Sequence, residues 1–226
     1  MNLLIDADDT LWENMIYFER AFDDFYDFLA HSTFTKEQVR AIFDEMEIAN
    51  IRVNGYGSAN FARNLTNCYR HLAERHIHDH DITRILALGQ RILDQPIELL
   101  AGVKETLAYL SPRHSLTVFT KGDPEEQRLK VERSGIDHFF HRTAIVREKD
   151  VHAYQRWLDQ HKLDPAATWM VGNSPKSDIN PALEAGLGAV FVPHERTWSL
   201  EHQEIRLPGH DRLLQLSAFA ELRHHF

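Results

Sequence analysis

Two carboxylates one residue apart follow a short apolar run near the start of the chain. The run is Leu3, Leu4 and Ile5, and the carboxylates belong to Asp6 and Asp8. A short apolar run bounded by polar residues predicts a buried strand, so both aspartates are expected where the strand ends and the chain turns. In an open α/β sheet, that strand end borders the ligand-binding crevice. Carboxylates there could act as a nucleophile, as a general acid or base, or as metal ligands; the plainest alternative is a pair of solvated turn residues.

Further polar side chains end or follow the later predicted strands. Each strand is a short run rich in apolar or β-branched residues, and helical segments separate the strands. Because the carboxyl ends of parallel strands meet at one edge of a sheet, these side chains are expected to face the same crevice as Asp6. The side chains and their strands are Thr120 (115–120), Lys149 (143–146), and Asn173 and Asp178 (168–171).

The elements that must position these side chains alternate between helix and strand from residue 99 onward. This alternation predicts βαβ units and a parallel sheet. Residues 14–98 show only helical periodicity, with apolar residues three and four positions apart. The sequence therefore predicts an α/β fold, with a doubly wound parallel-sheet (Rossmann-like) core over 1–13 and 99–226 and an inserted all-helical cap domain over 14–98. Because the insertion follows the first strand, the cap is expected to form a roof over Asp6.

Four helices are predicted in the inserted segment. Thr35, followed by a glutamine three positions on, has the spacing of a capping box at the start of the second helix. Residues 52–57, Arg-Val-Asn-Gly-Tyr-Gly, predict a polar turn with two glycines. The alternating histidines His76, His78 and His80 are interpreted as solvated loop residues rather than as a metal site, because residues two apart lie on different faces of a helix and because these three flank a predicted connection within the insertion.

The strand-end residues, in their order along the chain, resemble the four motifs of the haloacid dehalogenase superfamily. The resemblance covers nearly the whole chain, and the helical insertion lies between the first and second motifs, as a type 1 cap does in that family. One short motif recurs by chance, but four in order, each at a predicted strand end, are a specific signal. The matching residues are Asp6-x-Asp8-x-Thr10 for the first motif, Thr120 for the second, Lys149 for the third and the stretch 172–178, Gly-Asn-Ser-Pro-Lys-Ser-Asp, for the fourth.

The resemblance implies a Mg²⁺-dependent phosphatase that hydrolyses a small phosphate monoester. In the implied roles, Asp6 attacks phosphorus and becomes an aspartyl-phosphate, and Asp8 protonates the leaving alkoxide and later takes a proton from water. Thr120 would give its hydroxyl to a phosphoryl oxygen, and Lys149 would bridge the phosphate and Asp6. Mg²⁺ prefers hard oxygen ligands and keeps several waters. Its implied ligands are the Asp6 and Asp178 carboxylates and the Asp8 main-chain carbonyl, with Asn173 beside them.

Asn173 departs from the family pattern, which often has an aspartate at that position. An amide oxygen still accepts a hydrogen bond from a metal-bound water, so we expect weaker Mg²⁺ binding rather than an inactive site. A rival interpretation is a phosphate-binding scaffold that has lost turnover, and Asn173 is what suggests it.

Three further residues are predicted to contact substrate. Lys121 follows Thr120 at its strand end, Asn14 lies in the segment after the first motif, and Arg52 lies in the polar turn. The alternatives within enzymes are a haloacid dehalogenase and a phosphomutase. Cleavage of a carbon–halogen bond releases no alkoxide that needs a proton, and it requires no metal ion. The presence of Asp8 as a potential general acid and of Asp178 as a potential metal ligand therefore favours the phosphatase.

Composition limits the partners and the compartment. The formal net charge of −9 provides no field that attracts polyanions, so neither nucleic acid nor an acidic membrane surface is expected as a partner. No apolar run approaches the roughly 20 residues that cross a bilayer, and no signal peptide is recognised. Cys68 is the only cysteine, which excludes an internal disulfide and fits a reducing compartment. We expect a cytoplasmic enzyme whose partner is a small phosphorylated metabolite; the sequence does not determine its oligomeric state.

Overall fold

The computed structural model describes residues 1–207 and 212–226, and the chain divides into two compact units. The first unit comprises Met1–Met15 and Ile97–Phe226, and the second comprises Ile16–Pro96. The second unit is therefore inserted after the first strand of the first unit.

The first unit contains a six-stranded sheet in which each pair of neighbouring strands is parallel. The strand order is β3-β2-β1-β4-β5-β6, so the first strand lies at the centre and the direction of winding changes beside it. This topology confirms the predicted doubly wound α/β fold. The strands are β1 (Asn2–Ile5), β2 (Ser115–Lys121), β3 (Arg142–Val146), β4 (Thr168–Gly172), β5 (Gly188–Phe191) and β6 (Leu213–Gln215).

The central strand β1 is buried on both of its faces. Leu3 and Ile5 pack into one apolar cluster and Leu4 into another on the opposite face, and all three side chains are fully buried. Alternate side chains of a strand point to opposite faces, so an uninterrupted apolar run fits a strand covered on both sides. The polar residues that follow β1 therefore mark the edge of the buried sheet.

Helices follow most strands of the first unit, and side chains cap two of them. Asp123 accepts hydrogen bonds from the backbone N–H groups of Glu125 and Glu126, and Asp150 accepts one from Ala153. These caps fix where the helices after β2 and β3 begin. The helices are α5 (Val103–Leu110), α6 (Pro124–Arg133), α7 (Val151–His161) and α8 (Asn180–Glu184).

Near its C-terminus the chain differs from the sequence prediction. We predict no strand at β6, whose three residues are too few to show a period. The sequence predicts a helix that starts near Ser217, but the structure has a 3₁₀ turn over Phe219–His224. Phe219 and Leu222 are nevertheless buried against the sheet. The apolar pattern therefore predicted which residues are buried, but it did not distinguish an α-helix from a 3₁₀-helix.

The second unit is built from four helices around one apolar core. Thr35 forms the predicted capping box with Gln38. The predicted turn over residues 52–57 is shorter than expected, because the second helix continues through Asn54 and Arg52 lies in its last turn. Of the described helices, none combines the length and apolar character needed to cross a membrane. The four helices are α1 (Met15–Leu29), α2 (Lys36–Asn54), α3 (Ser58–Leu72) and α4 (Asp79–Leu93).

Candidate active site

Three of the predicted site residues meet at the carboxyl end of the central strand. Asp6 follows β1 directly, Lys149 lies just beyond β3, and Asp178 lies beyond β4. Lys149 Nζ lies 2.5 Å from Asp6 Oδ1 and 2.5 Å from Asp178 Oδ1. All three side chains are buried. The structure therefore places one ammonium group between two carboxylates.

Burial and mutual charge set the protonation of this cluster. Burial disfavours the Asp178 carboxylate and Asp6 adds repulsion, so the pKa of Asp178 rises to about 7 although Lys149 opposes the shift. Burial also disfavours the Lys149 ammonium, but the charges of Asp178 and Asp6 outweigh it and hold the pKa of Lys149 above its usual range. With both carboxylates ionised, one negative charge stays unbalanced, which favours the approach of a further cation.

A single π-helical turn, Pro175–Ile179, presents Asp178 to the cluster. The sequence predicts a loop where the chain leaves β4, whereas the structure has a helical turn. Proline suits the first helical position, and Ser174 caps the turn by accepting a hydrogen bond from the Ser177 N–H at 2.9 Å. The Ser174 N–H donates to Asp178 Oδ2 at 2.9 Å. A Cβ at Gly172 would lie 2.2 Å from that same oxygen, so the position requires glycine. Isolated π-helical turns are frequent at functional sites.

Thr10 and Asn173 lie beside the second oxygen of Asp6. The Thr10 hydroxyl is 3.1 Å from Asp6 Oδ2 and 3.3 Å from Asn173 Oδ1, and its single proton is donated to one of them at a time. The Asn173 amide also donates to Thr197 Oγ1 at 3.0 Å. Asn173 thus lies where the sequence predicts it, and as a neutral amide it adds no third negative charge to the cluster.

Asp8 lies in a different environment from Asp6. Its carboxylate accepts hydrogen bonds from the Trp12 indole at 2.8 Å and from Gln127 Nε2 at 3.0 Å. Lys130 Nζ lies 3.0 Å from one Asp8 oxygen and 3.1 Å from the other. Gln127 and Lys130, for which the sequence predicts no role, both lie on α6, three residues apart and hence on one face of that helix.

Thr120 is buried within β2, where its hydroxyl oxygen accepts a hydrogen bond from Gln127 Nε2 at 2.9 Å. The same amide nitrogen lies 3.0 Å from Asp8 Oδ2. Gln127 therefore connects the predicted phosphate-binding hydroxyl to the predicted general acid. Thr120 and Asp8 meet at the same strand ends, as the parallel sheet implies.

Glu201 is the main residue near the site that the sequence analysis missed. Its carboxylate accepts hydrogen bonds from Lys121 at 2.6 Å, Ser174 at 2.6 Å and Ser177 at 2.5 Å. Burial alone would raise the pKa of Glu201, but Lys121 and the two hydroxyl groups lower it to about 2. Lys121, which we predicted to contact substrate, is in this structure tied to Glu201 and to Ser177 Oγ at 3.0 Å. A lone glutamate 23 residues after Asp178 carries no signal that could have identified this contact.

Comparison with known proteins identifies the family to which the chain belongs. The sequence model of the haloacid dehalogenase-like hydrolases matches residues 4–192, which is most of the chain. The chain belongs to the haloacid dehalogenase-like hydrolases. The resemblance stated from the four motifs is thereby confirmed, and the protein is a hydrolase of this family. No curated protein matches the sequence.

Solved structures of this family are similar over the full length of the hydrolase. A haloacid dehalogenase-like hydrolase from Xanthomonas campestris has 29% identity and a TM-score of 0.87, and the match covers 100% of this chain and 89% of the other. A putative hydrolase from Bacillus subtilis bound to magnesium has 14% identity and a TM-score of 0.68, with 99% and 97% covered. A 2-haloacid dehalogenase from Pseudomonas syringae has 19% identity and a TM-score of 0.63, with 99% and 96% covered. The last two similarities show the fold alone.

The donor atoms of the hydrolase fit a hard divalent cation. The Asp6 and Asp178 carboxylates supply hard oxygen ligands, and the unbalanced negative charge of their cluster favours a cation of higher charge than a single ammonium. Asn173 lies beside Asp6 through the shared Thr10 hydroxyl, at a position where its amide oxygen could accept from a metal-bound water. These residues suit Mg²⁺, which binds one or two carboxylates and retains waters.

A second group of potential ligands lies beside the first motif. Single ligand atoms of Asp9, Glu13 and His194 all lie within 4.8 Å of one another. Asp9 also accepts hydrogen bonds from the backbone N–H groups of Asn14 and Met15, where it caps the start of α1. Burial and the charge of Asp8 raise the pKa of Asp9 to about 7. The Asp9 carboxylate therefore already serves the turn that leads out of the first unit.

The remaining predicted residues lie outside the cluster of Asp6, Lys149 and Asp178. The Asn14 side-chain oxygen accepts a hydrogen bond from Lys130 Nζ at 2.8 Å, which places Asn14 next to Asp8. Arg52 lies in the second unit, exposed near the end of α2, and its contact with substrate stays a prediction. His76, His78 and His80 are exposed, but neighbouring rings lie 4.8 and 5.2 Å apart. The three side chains are solvated as predicted, and two of them precede α4, which begins only at Asp79; the argument from different helix faces therefore does not apply to them.

Proposed function

We propose that the hydrolase is a Mg²⁺-dependent phosphatase that acts on a small phosphate monoester through an aspartyl-phosphate intermediate. The observation that carries the proposal is the contact of Lys149 with both Asp6 and Asp178 in a buried cluster at the strand ends. A phosphoryl group that is transferred carries negative charge on its equatorial oxygens, and an anionic nucleophile reaches it only when cations neutralise that charge. Lys149 supplies one such charge next to the nucleophile.

In the first step, an oxygen of Asp6 attacks phosphorus in line with the leaving oxygen. The new bond joins Asp6 to phosphorus, the ester P–O bond breaks, and the bonding electron pair leaves with the alcohol oxygen. Asp8 provides the proton that this alkoxide takes. The Thr120 hydroxyl and the Lys149 ammonium bind phosphoryl oxygens and hold the group in position.

In the second step, Asp8 takes a proton from water while the water oxygen attacks the phosphorus of the aspartyl-phosphate. The bond between Asp6 and phosphorus breaks, inorganic phosphate leaves, and the carboxylate of Asp6 is regenerated. The Asp6 and Asp178 carboxylates and the main-chain carbonyl of Asp8 would hold Mg²⁺, which would neutralise negative charge on the phosphoryl group that is transferred.

The comparisons leave the choice between a phosphate ester and a carbon–halogen bond open, because one structural neighbour is a 2-haloacid dehalogenase. Two observations favour phosphate. Asp8 lies beside Thr120, joined to it through Gln127, where a general acid for an alkoxide leaving group is needed and a halide would need none. Asp178 makes the cluster too negative for one lysine to balance, which a divalent cation corrects.

The test is a panel of phosphorylated metabolites and 2-haloacids, each assayed with Mg²⁺ and with a chelator. We expect release of phosphate from members of the panel, dependent on Mg²⁺ and abolished in Asp6→Asn. Lys104→Met, which changes an exposed lysine on α5, is the matched control and should retain activity. Release of halide without metal would establish the dehalogenase. No turnover of any compound by the folded wild type would support a phosphate-binding scaffold, and transfer of phosphate within a sugar phosphate would indicate a mutase.

A further inference from the structure

The Asp8 carboxylate has an unusually complete set of donors. Trp12 Nε1 donates to Oδ1 and Gln127 Nε2 lies within hydrogen-bond distance of Oδ2, while Lys130 Nζ lies within 3.1 Å of both oxygens. A carboxylate has about four lone-pair directions, and a proton on Asp8 takes one of them, so the acid form keeps up to three of these four contacts. Asp8 is therefore held at both oxygens and cannot rotate without breaking at least one charge-assisted contact.

Lys130 makes this arrangement rigid from the side of α6. Its side chain is only 12% exposed, and its third close partner is the side-chain oxygen of Asn14 at 2.8 Å. An ammonium group has three protons, and these three oxygens account for them. Glu126, one turn earlier on the same helix, lies 3.8 Å away and adds a longer-range attraction. Lys130 thus has no proton left for a phosphoryl oxygen and is not part of the phosphate cradle.

Gln127 lies on the Thr120 side of the held carboxylate, and its amide nitrogen shares two protons among three acceptors, the third being the Lys121 carbonyl oxygen at 2.8 Å. Its amide nitrogen lies 3.0 Å from Asp8 Oδ2 and 2.9 Å from Thr120 Oγ1. Oδ2 is therefore the oxygen on the side of the predicted phosphate-binding hydroxyl. A change in the Lys130 contact would turn this oxygen relative to Thr120.

We propose that Lys130 is a positioning residue for the phosphatase reaction, which orients the Asp8 carboxylate so that it delivers its proton to the leaving oxygen. The inference rests on the proposed function, because it concerns the step in which an alkoxide leaves. It assigns to α6 a role that none of the four motifs contains. Lys130 acts through Asp8 and does not touch the substrate.

The experiment compares Lys130→Met and Lys130→Gln with the control Arg128→Met. Arg128 lies on the same helix and pairs with Glu125 in an exposed ion pair, so its removal reproduces the loss of one cation from α6. The value of kcat/KM is measured for an alkyl phosphate and for p-nitrophenyl phosphate. This ratio reports steps up to the departure of the leaving group, and only the alkoxide needs a well-placed acid.

We expect kcat/KM for the alkyl phosphate to fall by about 10- to 100-fold in both Lys130 variants, and that for p-nitrophenyl phosphate by less than about threefold, because general acid catalysis contributes roughly 10²- to 10⁴-fold. Lys130→Arg, which retains two-point donation, should restore most of the difference. An equal fall for both substrates, or no fall, in an active enzyme would overturn the proposal, since a merely structural residue does not discriminate between leaving groups.

A second readout does not require turnover. The indole N–H of Trp12 donates to Asp8, and its ¹H–¹⁵N signal, assigned with Trp12→Phe, reports the position of that carboxylate. We expect the signal to shift in both Lys130 variants and to stay at its wild-type position in Arg128→Met. If the wild type proves inactive on every phosphate, the proposed function fails; an unmoved indole signal would then also overturn the positioning of Asp8 by Lys130.

Discussion

Two buried glutamates, one in each unit, show how the surroundings of a carboxylate decide its chemistry. Glu201 in the first unit and Glu47 in the second are both only 7% exposed. The pKa of Glu201 is lowered to about 2, because Lys121 and two serine hydroxyls outweigh burial. The pKa of Glu47 is raised to about 7, because burial dominates and Asp44 offsets part of the attraction of Arg40.

The difference shows that a close cation, rather than burial alone, decides whether a buried glutamate is ionised. Each buried carboxylate of the Asp6, Asp178 and Glu201 set contacts a lysine ammonium group. In the second unit Arg40 forms its close ion pair with Asp44, at 2.7 Å, rather than with Glu47. The contact with Lys121 keeps Glu201 ionised at neutral pH, whereas Glu47, which lacks such a close cation, is partly protonated there.

The largest effect is expected when Lys149, the ammonium group shared by Asp6 and Asp178, is removed. Lys149→Met leaves Asp6 and Asp178 facing each other without an ammonium group, so we expect activity to fall by about 10²- to 10³-fold and the free energy of unfolding at pH 8 to fall by about 3–5 kcal/mol. Phosphate release and urea unfolding measure the two effects, with Lys104→Met as the control. Near-normal activity in Lys149→Met would show that the buried ion cluster is not the site.

Glu201→Gln tests the compensated glutamate. Since its folded pKa lies below the unfolded value of 4.5, Glu201 contributes stability that is fully present above pH 4.5 and lost as pH falls through about 2. We expect Glu201→Gln to lower the free energy of unfolding at pH 7 by about 3 kcal/mol, because each pKa unit corresponds to about 1.4 kcal/mol. The deficit should shrink at pH 3.5. The exposed neighbour variant Glu204→Gln should differ from wild type at neither pH.

Glu47→Gln should act in the opposite direction. The folded pKa of Glu47 lies above its unfolded value, so the ionised carboxylate destabilises the fold increasingly as pH rises from 4.5 to about 7, and fully above that range. We expect Glu47→Gln to be more stable than wild type by about 2 kcal/mol at pH 8 and equal to it at pH 4. Glu45→Gln, on an exposed position of the same helix, is the control. A destabilised Glu47→Gln at pH 8 would contradict the contrast between the two units.

The smallest expected effect is a change in the affinity for Mg²⁺. Asn173→Asp places a third carboxylate next to the Asp6 and Asp178 pair, so we expect the Mg²⁺ concentration for half-maximal activity to fall by roughly tenfold, within the range seen when hydrogen-bond partners of metal ligands are changed. Calorimetric titration with Mg²⁺ gives the same comparison without turnover. An unchanged or higher requirement would count against the role that we assign to Asn173.

The sequence predicted the fold and several members of the site for a local reason. Strand ends are visible where apolar runs stop, and parallel strands bring those ends to one edge. Asp6, Lys149 and Asp178 were singled out on this basis, and the structure brings them into contact. Glu201 and Lys130 were not singled out, because neither follows a strand at a characteristic spacing and each meets its partner only through the packing of a separate element.

The sequence by itself determined that this chain is an α/β protein with an inserted helical segment, since short apolar runs and a period of 3.6 residues are properties of neighbouring residues. It also determined the order of the motifs that identify a haloacid dehalogenase-like hydrolase. Only the tertiary structure decided that Lys121 pairs with Glu201 and that Lys130 holds Asp8. These partners are 80 and 122 residues apart, and contacts over such separations depend on strand order and helix placement rather than on local pattern.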